Sequence, residues 1–447
     1  MQQERTPAMQ RVAAQKERLP GFYGRIDFDA MPERFTVAPG ERTALEALGA
    51  HDPSRRAKLL ANHVLVERIR AYTLHGDPVA DAYAQLIPRH GFRTLVSMLE
   101  QACDKGVEAV AETPPELGAF LDEMSARPDW IDMQLVQEGA QASRNVMAHI
   151  APLVIRGAFF GTFTNKYAAL PMALTGALSH ETAARRVLET ATFFTVTTLP
   201  GALERHGAGF KAAAMVRLMH SMVRFHALTK PGHWDPAVFG IPIPQVDQMP
   251  AGLKASYLLA QRALKAGRDF HRAERAQVEL ARYRCFLLGL PRELLPETPQ
   301  ELVDVLDTRS ATLRDGFDDA TCGSLIRSTM AADLGRDTGL VGRVRSAAEP
   351  SAAKLYFVRN YFGGDRARAA AIGIRVGPGD HLWNAVGLLF SLVPMVGYGI
   401  ASRMGPLKGI ADRIVTRKIE RLLARYGHSH FTTDAATYRP ATGASGG

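Results

Sequence analysis

A chain of 447 residues with 46% hydrophobic and 22% charged side chains carries enough apolar material to bury a sizeable core, which excludes an intrinsically disordered protein. Fifty-four Lys and Arg against 45 Asp and Glu leave a net charge of +9, a balance that suits acidic partners such as phospholipid head groups, nucleic acid or an anionic cofactor. The three cysteines, Cys103, Cys285 and Cys322, include no close pair, so a disulfide framework, a zinc knuckle and a C-x-x-C-H haem attachment are all excluded, and any haem would be held noncovalently.

The opening stretch MQQERTPAMQRVAAQKERLPG is polar and mixed in charge and does not read as a secretory signal, so a cytoplasmic setting is expected. Residues 1–40 read as a loose arm with turns at Pro20-Gly21 and Pro39-Gly40. Residues 54–73 and 92–103 place apolar side chains three and four apart, which predicts helices, the first capped by Ser54. No alternating strand or hairpin signal interrupts this pattern, and the fold class expected is all-α. Three regions are expected: an N-terminal arm and helical cap (1–114), a core (115–300) and a C-terminal helical extension (301–447).

The core opens with RPDWIDMQLVQEG and an apolar helical block, after which Ser179 is placed to cap the helix HETAARRVLETATFF. In that helix Arg186 and Thr190 lie four apart and share a face, with Phe193 and Phe194 beyond. Such a pair could hydrogen-bond dioxygen and stabilise charge developing on it, or be a surface arginine and a threonine bonded to its own backbone.

Past Pro200-Gly201 comes RLMHSMVR, residues 217–224. At 100° per residue Arg217, His220 and Arg224 fall on one face, interleaved with Ala213, Val216, Val223 and Ala227. A helix apolar nearly all round is usually buried, and buried arginines require anionic or hydrogen-bonding partners. One candidate is haem, with imidazole on iron and guanidinium groups on the propionates. The other is a set of Asp and Glu elsewhere in the chain, with His220 an ordinary core histidine.

Further on, residues 340–380 read as a connector rich in Gly, Pro, Ala and Arg. The segment LWNAVGLLFSLVPMVGYGIA (382–401) has no charge and is long enough to cross a bilayer, yet it contains Pro394 and three glycines. It is expected to be buried or to lie on a surface rather than to span. A basic amphipathic helix follows, with Lys408, Arg413, Arg417, Lys418, Arg421 and Arg425, so peripheral membrane contact is expected through 382–425. The last dozen residues read as disordered, and His428 and His430 as part of a solvated tail. No Walker loop, H-E-x-x-H, G-x-S-x-G or nucleic-acid module is present, so nucleic acid is not an expected partner.

Taken in order, PDWID (128–132), RRVLET (185–190), VRLMHSMVR (216–224), HWDPAVFGIPIPQVD (233–247) and RYRCFLLGL (282–290) resemble the rubber oxygenases (latex-clearing proteins) and the broader mycophenolate-type oxygenase family. The resemblance implies a globin-like helical core with additional N- and C-terminal helices, holding one haem b. It implies that His220 is the proximal iron ligand, that Arg217 and Arg224 help fix the haem, and that Arg186 and Thr190 are distal residues acting on O2 as co-substrate. It further implies an oxygenase acting on a hydrophobic small molecule or polymer, isoprenoid or unsaturated, by cleavage of C=C or by hydroxylation. Hydroxylation would need an electron donor that the sequence does not reveal.

This chain also departs from the pattern. Glu189 stands where the family has a lysine able to ligate iron, no acid occurs between Glu138 and Glu181 to supply a pocket glutamate, and Ala281 precedes Arg282 where tryptophan is frequent. A haem sensor or carrier, and a non-enzymatic all-α protein on a membrane surface, are the alternatives.

Overall fold

Apolar residues at helical spacing in Leu65, Val66, Ile69 and Tyr72 turn one face of His63–Thr73 (α1) inward. A computed structural model describes residues 6–47, 53–175, 180–335 and 339–427; Ser179, His428, His430 and the C-terminal tail lie outside the described residues. The helix expected over 54–73 is broken at Asn62, whose side chain accepts the Leu65 amide at 3.2 Å and so caps α1. Ser54 falls inside the preceding helix, Pro53–Ala61, because Pro53 takes its first position.

In chain order there follow Pro78–Ala84 (α2), Pro115–Ser125 (α3), Ala151–Phe159 (α4), His180–Val196 (α5), Ala208–Thr229 (α6), Gln245–Lys265 (α7) and Arg272–Leu287 (α8). Ser324–Ala331 (α9), Leu340–Tyr361 (α10), Pro378–Ala401 (α11) and Gly405–Tyr426 (α12) complete the set that matters here. Among the described residues the only β pairing is two isolated bridges, Phe35 to Leu313 and Thr43 to Arg314, so the chain is all-α.

Two compact units divide these helices, and they interleave along the chain. The first takes residues up to 139 together with 203–316, and so contains α1, α2, α3, α6, α7 and α8. Its centre is α6, buried on every side through Phe210, Ala213, Leu218, Met222 and Val223 and packed against α2 and α8.

The second unit takes 140–202 and, among the described residues, the chain from 317 to 427. Phe159, Phe160, Phe163, Leu325, Phe357 and Phe362 form its apolar centre, with Phe160 and Phe357 edge to face at 5.1 Å. Arg156 of α4 pins this unit together. Its Nη1 donates to the carbonyls of Thr329, Met330 and Ala332 at the end of α9 (2.7, 2.8 and 2.8 Å), while Nε and Nη2 pair with Glu349 of α10. A buried cation is thus matched by one carboxylate and by the negative end of a helix.

Candidate functional site: the histidine helix

Asp77 caps α2 by accepting the Ala80 amide at 3.2 Å, and Asp81 sits one turn further along the same helix. These two carboxylates meet the two arginines of α6, which lie two turns apart. Arg217 grips Asp77 with both prongs, Nε to Oδ2 at 2.6 Å and Nη2 to Oδ1 at 2.8 Å, and also reaches Glu123 of α3 at 2.7 Å. Arg224 donates to Asp81 at 2.9 Å, to Ser221 Oγ at 2.9 Å and to the Ile243 carbonyl at 3.1 Å, and the Tyr23 hydroxyl closes on Asp81 from the other side. Burial pushes the Asp77 carboxyl up, but the Arg217 guanidinium outweighs it and holds Asp77 below its usual range.

Both arginines were candidates for gripping a cofactor's carboxylates. The structure gives them protein carboxylates instead, the other partner class open at the sequence level. Their side chains are 2% and 0% exposed, and at such depth a guanidinium without a local counter-ion would be prohibitively costly. Gly289, in the last of the five motifs, is required by this pairing. Its φ of +85° favours glycine, and a Cβ there would lie 2.6 Å from Asp77 Oδ2 and 2.7 Å from Arg217 Nε.

His220, half-buried between the two arginines, is held by a chain of amides. Its Nδ1 is 2.9 Å from Gln248 Oε1; Gln248 Nε2 donates to Gln245 Oε1 at 3.0 Å; Gln245 Nε2 donates to the Gly76 carbonyl at 2.8 Å. The carbonyl at the end can only accept, which orients Gln245, then Gln248, and leaves an acceptor facing the imidazole. In a neutral imidazole this places the proton on Nδ1 and the lone pair on Nε2. That is the tautomer a metal-ligating histidine needs, with its second nitrogen tied to a fixed acceptor. Among the described residues no group of three His, Cys, Asp or Glu is placed to hold a metal ion, so a metal on Nε2 would have to arrive within a ligand that brings its own donors, as a porphyrin does.

Arg186 and Thr190 lie one turn apart on α5, in the second unit, whereas Arg217, His220 and Arg224 lie in the first. Arg186 Nη1 donates to Glu189 Oε2 at 2.7 Å, both side chains nearly buried. Arg186 Nε and Nη2 and Glu189 Oε1 are buried with no hydrogen-bond partner. Burial raises the Glu189 pKa, and Arg186 offsets this only in part. The replacement of lysine by Glu189 thus creates an internal ion pair with polar capacity left over. Phe193 and Phe194 stand edge to face at 5.2 Å one turn further on.

The model of a family described as "ER-bound oxygenase mpaB/B'/Rubber oxygenase, catalytic domain" matches residues 145–393, more than half of the chain. The chain belongs to this family. The match begins and ends later than the span 115–300 expected from the motifs. A solved structure of a latex clearing protein, LCP, in the closed state superposes with a TM-score of 0.52 at 17% identity, covering 79% of this chain and 91% of that one. At that identity the likeness is one of fold. No curated protein gives a significant match.

Within this oxygenase-family chain, the sequence pattern located His220 and the arginines but missed what holds them. Gln245 lies near the end of the HWDPAVFGIPIPQVD motif and Gln248 just beyond it; two glutamines three apart on a helix face otherwise apolar were the available signal. Asp77, Asp81 and Glu123 carried no signal beyond their charge. A separate cleft of about 520 Å³ in the first unit, lined by residues including Arg68, Arg292 and Glu297, includes none of the residues on the histidine helix.

Proposed function

We propose that this protein is a haem b-dependent oxygenase that uses O2 to cleave a carbon–carbon double bond in a hydrophobic, unsaturated substrate such as a polyisoprene-like chain. The observation that carries the reading is the amide relay from Gly76 through Gln245 and Gln248, which presents a fixed acceptor to His220 Nδ1 as a metal-ligating histidine requires. His220 is the proposed iron ligand, and Gln248 keeps the proton on its Nδ1. Arg217 and Arg224 act as positioning residues that lock α6 onto α2 through Asp77 and Asp81. When bound, haem supplies the iron centre at which O2 is activated.

Arg186 and Thr190 are the proposed catalytic donors to the oxygen substrate. The unsatisfied Nε and Nη2 of Arg186 support this, since buried donors without partners are suited to a group that arrives with the substrates. Cleavage is favoured over hydroxylation on balance of electrons: one O2 and one C=C yield two carbonyls with no external reductant, whereas hydroxylation requires an electron donor.

Labelled dioxygen tests the reaction. Incubation with an unsaturated isoprenoid oligomer under ¹⁸O2 is expected to consume oxygen and to place label in both new carbonyl groups. Label confined to a single hydroxyl, dependent on added reductant, would overturn the cleavage assignment. Thr190→Ala is expected to slow oxygen consumption by about a hundredfold if its hydroxyl stabilises developing charge.

A further inference from the structure

We infer that α11 and α12 form a lipid-docking face that seats the second unit in the plane of an anionic bilayer surface, one side in lipid and the other on protein. The inference is independent of the cofactor and of the reaction. The inward side of α11 is made of small residues. Gly387 and Ser391 are buried, and a Cβ on Gly387 would stand 2.7 Å from the Cβ of Ala348 on α10. Its outward side carries Leu382, Leu389, Val393, Val396 and Ile400, with Leu389 60% and Val393 62% exposed. At helical spacing these five fall within an arc of about 60° and form a stripe about 27 Å long. A contiguous apolar surface of this length is far beyond the scattered exposed residues normal for a protein in water.

The stripe continues onto α12 through Met404, Leu407, Ile410 and Ile414, all exposed. Further along the outer side of α12 the chemistry changes: Arg417, Arg421 and Arg425 are exposed. From 382 to 419 the only acidic residue is Asp412, and it is turned onto Arg144. One surface therefore passes from predominantly apolar to predominantly basic, with Glu420 as the one exposed acid among the arginines, which matches the passage from acyl chains to anionic head groups. A second copy of the chain would bring like charges together at the basic end, so it is a poorer occupant. A span across the bilayer would carry α10, which packs along the inner side of α11 and bears Arg343, Arg345, Glu349 and Lys354, into the hydrocarbon with it.

The test is flotation of the full chain with vesicles of phosphatidylcholine alone and of phosphatidylcholine with phosphatidylglycerol. The protein is expected to float with the anionic vesicles and to be released as salt is raised. The double variant Leu389→Asp/Val393→Asp, both positions exposed, is expected to lower partitioning by about tenfold or more, with helical circular dichroism unchanged. Arg417→Glu/Arg421→Glu is expected to abolish the preference for anionic vesicles. Absence of flotation overturns the proposal, as does flotation indifferent to the Leu389/Val393 variant. A dimer in light scattering that the same variant disperses, with no vesicle binding, would assign the face to a second copy and overturn it too.

Discussion

Arg224 and Asp81, both without solvent exposure, face each other at 2.9 Å at the centre of the first unit, and the Tyr23 hydroxyl completes the carboxylate's shell. Removing one partner leaves a buried charge uncompensated, which costs about 3–5 kcal/mol. Arg224→Met should therefore lower the unfolding free energy by about that amount in urea titration. A loss below about 1 kcal/mol, typical of a surface pair, would mean that the pair is not desolvated as described.

Gly289 yields a second prediction from the neighbouring pair. A methyl group there must enter the space between Asp77 and Arg217 while the backbone stays at positive φ. Gly289→Ala should destabilise by about 2 kcal/mol or more, and the loss should shrink to the share due to positive φ in an Asp77→Asn/Arg217→Met background, where the pair is already gone. Equal losses in both backgrounds would show that φ alone matters.

A third concerns the relay. Gln248→Leu removes the acceptor that fixes the His220 Nδ1 proton. If Nε2 ligates haem iron, cofactor retention should weaken by about 10–100-fold, measured as the rate of haem transfer to apomyoglobin. Gln248→Glu, which keeps an acceptor, should retain haem. Identical transfer rates in Gln248→Leu and the parent would separate Gln248 from the cofactor.

How far the sequence was legible follows from the range of each interaction. The helices carrying RRVLET and RLMHSMVR were legible because 3.6-residue periodicity is local, and so was the need of Arg217 and Arg224 for partners. The partners themselves were not: Asp77 and Asp81 lie 140 and 143 residues upstream, and nothing local distinguishes them from solvated acids. The charge-free segment at 382–401 was visible as such, but whether it is buried is a tertiary fact. Gly387 and Ser391, the small residues on its inner face, were the clue to which side packs. The interleaving of the two units, with α4 and α5 in one and α6 in the other, has no linear signature at all.

His149 yields a prediction about acid. It is fully buried and stacked 5.4 Å from Tyr398, and its Nε2 has no partner. Burial pushes its pKa down to about 4; the Asn145 carbonyl partly opposes this, and Lys418 and Arg345 add to the depression. The unfolded chain binds this proton near pH 6.5 and the folded one only near pH 4, so stability is full above about pH 6.5 and falls as pH drops through that window. The share from His149 should be on the order of 3 kcal/mol. His149→Phe should flatten the pH dependence of Tm between those values; an unchanged slope would mean that His149 is not held neutral.

The central claim is that the histidine helix holds haem. The most direct measurement is the visible spectrum of the purified full chain, oxidised and dithionite-reduced, with a pyridine haemochrome assay, beside His220→Ala prepared identically. A Soret band and about one b-type haem per chain are expected, lost in His220→Ala. A colourless parent even after expression with haem precursor, or full haem retention in His220→Ala, would contradict it.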